Sequence, residues 1–281
     1  MKNRSVIKVA LLSAILIFSA VHLSAQKKDA LKIISYNILK GMETDKTEGK
    51  QVFVEWIKAQ DPDILAIQEA NYFTQKSLEA LARTYGHPYA VLLRAEGYPP
   101  AITSKYPIVN VERVVDNMWH GFVKCTIEGY EIIVLHFSPH VYMKRREEVA
   151  VIVETVKQSG SFKKWMVMGD FNAVSPLDKS KYADGKYKER LRSYEEKNPK
   201  QSHLHEGDVD YLVHQSMLDF GFVDAARQDP AFTYDNFGAR IDFIYVSPDL
   251  KKRVVKCGFI VDEFTDKYSD HRPVEMVLKL N

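Results

Sequence analysis

The chain has 281 residues, 46% of them hydrophobic and 27% charged, with a formal net charge of +2. That is enough apolar material for one large domain or two small ones. The near balance of charge excludes a protein that holds nucleic acid through its overall field, so any polyanion must be gripped locally or through a metal.

The first 25 residues stand apart from the rest. Lys2, Arg4 and Lys8 precede an apolar run from Val9 to Val21, and Leu23-Ser24-Ala25 follows. A basic start, a short apolar run and a small terminal residue spell a secretory signal peptide over residues 1–25. The run is too short for the ~20 residues of a spanning helix. Without those three basic residues, 36 Lys and Arg face 37 Asp and Glu, down from 39 basic residues in the full chain. Export to the periplasm or the extracellular space is therefore expected, with one domain over residues 26–281.

Lys32 to Tyr36 reads as a strand ending at Asn37, and the polar stretch from Gly41 to Gly49 as a loop. Val52, Phe53, Trp56 and Ile57 mark one helical face, which Asp61-Pro62-Asp63 stops. Ile64 to Ile67 is a buried strand that delivers Gln68 and Glu69. Leu78, Leu81 and Ala82 predict a second helix, closed by Gly86. Short strands are expected at Tyr89 to Leu93, Ala101 to Ser104 and Ile108 to Val115. A hairpin around Glu128-Gly129 joins His120–Ile127 to Tyr130–Phe137. Val149, Ile152, Val153 and Val156 predict a helix that ends near Gly160.

Trp165 to Met168 is an apolar strand leading through Gly169 to Asp170 and Asn172. In a strand, i and i+2 share a face, so carboxylate and amide point to one place. Leu177 to Asp208 interrupts the rhythm as a polar segment rich in Lys, Arg and Tyr. It reads as a solvated amphipathic helix that could also overhang whatever site Asp170 serves. Val209, Leu212, Val213 and Leu218 predict a further helix ending at Gly221, and Ile241–Val246, Val254–Val261 and Pro273–Leu280 three last strands. Cys125 and Cys257 lie in apolar, strand-like runs, where buried free thiols are common.

Asn37, Glu69, His136, Asp170 with Asn172, and Asp270 with His271 each close or follow an apolar strand, and Asp242 lies inside one. Several such residues in one domain point to a shared site. Oxygen donors of this kind suit Mg²⁺, Mn²⁺ or Ca²⁺ better than zinc. His203-Leu204-His205 with Asp208 lacks the preceding apolar strand that a zinc site would want, and is set aside.

Five segments occur in a telling order: Ile34-Ser35-Tyr36-Asn37, Pro62-Asp63-Ile64-Leu65-Ala66-Ile67-Gln68-Glu69, Gly169-Asp170-Phe171-Asn172, Arg240-Ile241-Asp242-Phe243-Ile244 and Ser269-Asp270-His271-Arg272-Pro273-Val274. Together they resemble the endonuclease/exonuclease/phosphatase superfamily, from about Lys32 to the C-terminus. The resemblance implies an α/β (α+β) fold, a four-layer sandwich of two packed mixed β-sheets flanked by helices. It also implies metal-assisted hydrolysis of a phosphoester. Carried over residue by residue, Glu69, Asn37 and Asp270 would hold the metal, and Asp170 and Asn172 would handle the attacking water. His271 would serve as base or charge stabiliser, oriented by Asp242, and His136 would protonate the leaving oxygen. Arg94 and His120 are candidates for touching the phosphate.

Two departures narrow the choice. Gly238-Ala239-Arg240-Ile241-Asp242 stands where inositol 5-phosphatases carry a Trp-Cys-Asp-Arg type of motif, and Ala70 stands where repair endonucleases usually have Thr. The expected substrate is a phosphodiester: nucleic acid, a phospholipid headgroup or a small phosphoester. The rivals are a phosphomonoesterase and an inactive phosphate-binding module on the same fold. No obligate protein partner is implied, and a monomer is expected.

Overall fold

The protein is described from a computed structural model covering residues 29–229, 232 and 238–280. The leader expected at residues 1–25 lies outside the described residues. Among the described residues no helix is long and apolar enough to cross a membrane.

Among the described residues fourteen strands form two six-stranded sheets and one small ribbon. In the first sheet the spatial order is β13 (Val254–Phe259), β14 (Val274–Lys279), β1 (Ala30–Asn37), β2 (Ile64–Gln68), β4 (Ala101–Ser104) and β3 (Tyr89–Leu92). In the second it is β11 (Val223–Asp224), β12 (Asp242–Val246), β8 (Trp165–Asp170), β7 (Tyr130–His136), β6 (Gly121–Ile127) and β5 (Val109–Val114). The ribbon pairs β9 (Leu204–His205) with β10 (Asp208–Val209) inside the polar segment. Each large sheet is mixed, with one parallel pair: β1 beside β2, and β7 beside β8.

Period-two alternation explains why these strands read as unbroken apolar runs. Ile33, Ile64, Ala66, Ile132, Val134, Met166 and Met168 meet in the core between the sheets. Their neighbours Ile34, Tyr36, Leu65 and Ile67 face the other way, onto Gln51–Gln60 and Gln75–Thr84. Ile133, Leu135, Trp165 and Val167 likewise pack on Tyr142–Gln158 and Leu212–Phe220. Strands covered on both faces have no polar side to show. The layers are therefore helix, sheet, sheet, helix, as expected. Cys125 and Cys257 are buried free thiols.

The helical segments begin where their ends find partners. Thr74 and Ser77 form a capping box for Gln75–Thr84. The Asp45 carboxylate accepts the backbone N–H groups of Thr47 and Phe53, fastening the loop before Gln51–Gln60 to its first turn. Among the elements that went unforeseen are the two-residue strand β11, the ribbon, and the helix Glu263–Tyr268. All are too short to show a period.

The strand that carries Asp170 has one intolerant position. Gly169 sits between Leu135 of β7 and Phe243 of β12, at φ +143°, and a side chain there would collide with the Leu135 carbonyl. Gly169→Ala is expected to cost at least about 2 kcal/mol of stability by urea unfolding, since neither backbone can retreat within the ladder. An unchanged urea midpoint contradicts this packing.

Candidate active site

Both sheets deliver side chains to one edge, where β1 and β2 of one sheet end beside β7, β8 and β12 of the other. Asp170 is the last residue of β8, opposite Asp242 on β12 and His136 on β7. It is almost wholly buried. Its Oδ2 accepts a hydrogen bond from Asn37 Nδ2 at 3.2 Å, and lies 3.6 Å from His136 Nε2 and 3.7 Å from His271 Nε2. Its Oδ1 accepts the backbone N–H of Asn172 at 2.8 Å. One carboxylate thus gathers groups from β1, β7 and the segment before β14.

Glu69 follows β2 with a left-handed backbone, φ 58°. The preceding loop is shaped to hold it. Lys40 N–H donates to Glu69 Oε2 at 2.8 Å and Gly41 N–H to the Glu69 carbonyl at 2.7 Å, while Asn37 Nδ2 reaches Glu69 Oε1 at 3.3 Å. Leu39, Lys40, Gly41 and Met42 all have positive φ. Such backbone persists only where its surroundings over-determine it, and it is concentrated at functional sites. Burial raises the pKa of Glu69 above the usual carboxylate value, against the pull of the Lys40 N–H and the Asn37 amide. No Lys or Arg among the described residues forms an ion pair with it.

His271 and Asp242 make a tight pair, Nδ1 to Oδ2 at 2.7 Å. Burial opposes a charge on the imidazole, but Asp242 and Asp170 outweigh it and lift the pKa to about 10. For Asp170, burial and then Asp242 push the pKa upward. His136 is the opposite case: burial drives its pKa down to about 3 despite Asp170. Its Nδ1 faces the Tyr98 carbonyl at 3.3 Å and its ring stacks on His120, centroids 4.2 Å apart. A carbonyl only accepts, so Nδ1 carries the hydrogen and Nε2 turns a lone pair toward Asp170.

The remaining expected residues sit nearby in different relations. Asn172 has φ 49° and donates from Nδ2 to the Phe137 carbonyl at 3.0 Å, which fixes the loop after Asp170. His120 reaches the group by stacking on His136; burial and then Arg94 hold its pKa near 4. Arg94 bonds the Trp119 carbonyl at 3.4 Å, so it braces the His120 loop. Asp270 is exposed at the cleft lip, together with His271.

Two supporting residues escaped the sequence reading, and a third, Arg240, stood in a motif without a role. Glu148 accepts the backbone N–H groups of Trp119 at 2.6 Å and Ser138 at 2.8 Å, and so ties together the segments that carry His120 and His136. His214 spans from Tyr245 Oη to the Ala173 carbonyl, 2.9 Å on each side, behind the Asp170 loop. Arg240 is buried and paired with Asp178 and Asp224. Glu148 and His214 lie on helices whose apolar spacing hides them. Arg240 was visible as a charge in an apolar run, but its partners are 62 and 16 residues away.

The polar segment 177–208 does reach the site. Its helix Lys186–Lys197 buries only Leu191, as a solvated helix should, yet Lys181, Tyr187, Arg190, Tyr194 and His203 line one cleft with Asn172, Asp242, Asp270 and His271. His203 and His205 are engaged by Gln201 and the Tyr142 hydroxyl, and Asp208 pairs with Lys188. They form no metal cluster among the described residues, where Asp170, Asp242 and His271 are the one such group.

The profile of the endonuclease/exonuclease/phosphatase family matches residues 34–271. The chain belongs to that family. It is thus one of the divalent-metal-dependent hydrolases of phosphoester bonds. Comparison with curated protein sequences yields no significant match. Among solved structures, an AP endonuclease from Archaeoglobus fulgidus is similar at 22% identity and TM-score 0.66, over 88% of this chain and 99% of that one. A 3′-5′ exonuclease from Neisseria meningitidis is similar at 21% identity and TM-score 0.64, over 89% and 100%. A family member from Bacteroides thetaiotaomicron is similar at 18% identity and TM-score 0.56, over 90% and 98%. At these identities the likeness shows the fold.

The family edge makes a pH-dependent contribution to stability. His271 holds its proton in the fold up to about pH 10, against an ordinary 6.5. Its stabilisation is complete below the lower value and is lost as pH rises through the upper one. In metal-free buffer, the stability difference between wild type and His271→Gln should be largest below about pH 6.5 and shrink as pH climbs through about 10. A difference independent of pH in urea titrations contradicts a charged His271.

Proposed function

We propose that this protein is an exported phosphodiesterase that attacks its substrate with a water held at the Asp170 edge. The observation that carries the reading is Asp170 itself, a buried carboxylate shared by Asn37, His136 and His271.

The donor set fits a hard divalent cation. Glu69 is a half-buried carboxylate with no cationic side chain in ion-pair reach among the described residues, which is the condition a bound cation relieves. Glu69 would hold it, with Asp270 at the lip. Asn37 has both ends of its amide engaged, Oδ1 by the Leu39 N–H and Nδ2 by Glu69 and Asp170, so it orients Glu69. When bound, the cation supplies positive charge against the negative charge that grows on the phosphoryl oxygens. Mg²⁺ is the expected ion, with Mn²⁺ and Ca²⁺ as substitutes.

The chain's own groups do the rest. Asp170 Oδ2 and His136 Nε2 are two acceptors turned toward one point, which suits a water that donates to both. A carboxylate with a raised pKa is the better base for taking that water's proton. His136, neutral at pH 7, then orients the nucleophile instead of protonating the leaving oxygen, the part that its motif suggests. His271 enters as a cation: Nδ1–H donates to Asp242, and Nε2–H is left to stabilise a phosphoryl oxygen. Of the two roles open to it, base or charge stabiliser, its charge favours the second. Asp242 acts through His271, fixing its orientation as in a catalytic triad.

Export rests on the basic, apolar and small-residue pattern of residues 1–25. A protein that keeps the whole network of Asn37, Glu69, Asp170, Asp242 and His271 gives no support to an inactive binding module.

Purified protein is to be assayed with Mg²⁺, Mn²⁺ or Ca²⁺ on bis-p-nitrophenyl phosphate, p-nitrophenyl phosphate, plasmid DNA and sphingomyelin vesicles. Metal-dependent diester turnover is expected, reduced by ~10²–10³-fold in His271→Ala and at least as much in Asp170→Asn. Near-native circular dichroism should accompany the loss. Turnover of the monoester alone would replace the reading with a phosphomonoesterase, and no metal-dependent turnover of any of the four rejects it.

A further inference from the structure

The cleft that the 177–208 segment closes beside the catalytic edge has a volume of about 280 Å³, just under the ~300–1,000 Å³ of typical ligand pockets. It is large enough for one compact group. One wall is catalytic, with Asn172, Asp242 and His271. The facing wall comes from the segment: Lys181, Tyr187, Arg190, Tyr194 and His203.

The facing wall is positive and aromatic, and it is held in place. Arg240 pairs with Asp178 at the root of the segment, and the Tyr142 N–H donates to the Ser202 carbonyl at 2.7 Å near its far end. The Glu195 carboxylate takes the N–H groups of His203 and Leu204. Arg190 has no carboxylate in ion-pair reach among the described residues. Its guanidinium lies over the Tyr187 ring, 5.0 Å from the centroid, in contact with solvent. A guanidinium in the lining of a cleft with no ion-pair partner among the described residues asks for an anion. Tyr194, 44% exposed, is an aromatic side chain in the same lining.

We infer that this wall is a subsite for a second anionic group of the substrate, a phosphate, with Arg190 as its main contact and Tyr194 packing on the base or the sugar of the group that carries it. This rests on the phosphodiesterase reading for the scissile group. It selects a substrate with two phosphates over a choline phospholipid, whose quaternary ammonium would meet the same positive wall. The shared chemistry, a phosphate on a sugar, has two sources: a nucleotide or a phosphorylated sugar.

Binding tests the subsite apart from catalysis. Calorimetry in EDTA compares adenosine 3′,5′-bisphosphate with fructose 1,6-bisphosphate on wild type, Arg190→Ala and Tyr194→Ala. Arg190→Ala should weaken both ligands about tenfold. A loss in Tyr194→Ala confined to the adenosine compound assigns a nucleotide, and an equal loss for both assigns a sugar phosphate. Undiminished binding of both ligands in Arg190→Ala overturns the subsite, even if diesters are hydrolysed. Retained, Arg190-dependent binding without any diester turnover upholds it while rejecting the catalytic reading. In activity assays, the ratio of kcat/KM for a 5′-phosphorylated dinucleotide to that for bis-p-nitrophenyl phosphate should fall about tenfold in Arg190→Ala. A wild-type preference for sphingomyelin vesicles over the dinucleotide would also overturn it.

Discussion

The structure depends on a negative charge kept out of water. Asp170 ends the apolar strand β8 with its carboxylate almost wholly buried, and a carboxylate in that position must be surrounded by donors or cations. Its neighbours are drawn from both sheets and from the segment before β14. Asn37 arrives from β1, His136 from β7, and His271 is held by Asp242 on β12. The two sheets could pack in many relative offsets on apolar contacts alone. A shared polar hub at their common edge accepts only one.

The same hub explains how the site's protonation states diverge. His136 and His271 both lie within 4 Å of Asp170 Oδ2, yet one is held neutral and the other charged. The difference is the second carboxylate. Asp242 bonds His271 directly, whereas His136 has only a carbonyl and another imidazole for company. A neutral and a charged imidazole thus flank one carboxylate, by placement alone.

Much of this was legible in the sequence. The strand ends at Asn37, Glu69, His136 and Asp170 stand out because each polar residue closes a run of apolar ones, and that contrast survives without coordinates. The sandwich came with the family resemblance, and the structure bears it out. What stayed hidden depends on partners distant in sequence. Glu148 looks like any charge on a helix until Trp119 and Ser138 are found against it. His214 looks like a helix residue until the Ala173 carbonyl comes near. The left-handed turn from Leu39 to Met42 has one glycine, Gly41, and three residues that nothing in composition marks as strained. The sequence suggested both readings of the 177–208 segment, a solvated helix and an overhang. Both describe it, because one face of a surface helix can meet solvent while its end lines a cleft.

Arg240 adds a constraint on how this molecule can change. It lies two residues before Asp242, and its guanidinium fastens both Asp178, where the polar segment begins, and Asp224, which ends β11. The segment that lines the cleft and the strand that carries Asp242 therefore share one buried fastening. Removing both acids would leave a cation stranded in the interior. The outer turns of the segment carry no such tie, but its root is fastened to the residues just before β12. Grafting the segment onto another member of the family would mean transplanting three chain-distant residues as a unit, and the usual independence of loop and scaffold would not hold for this one.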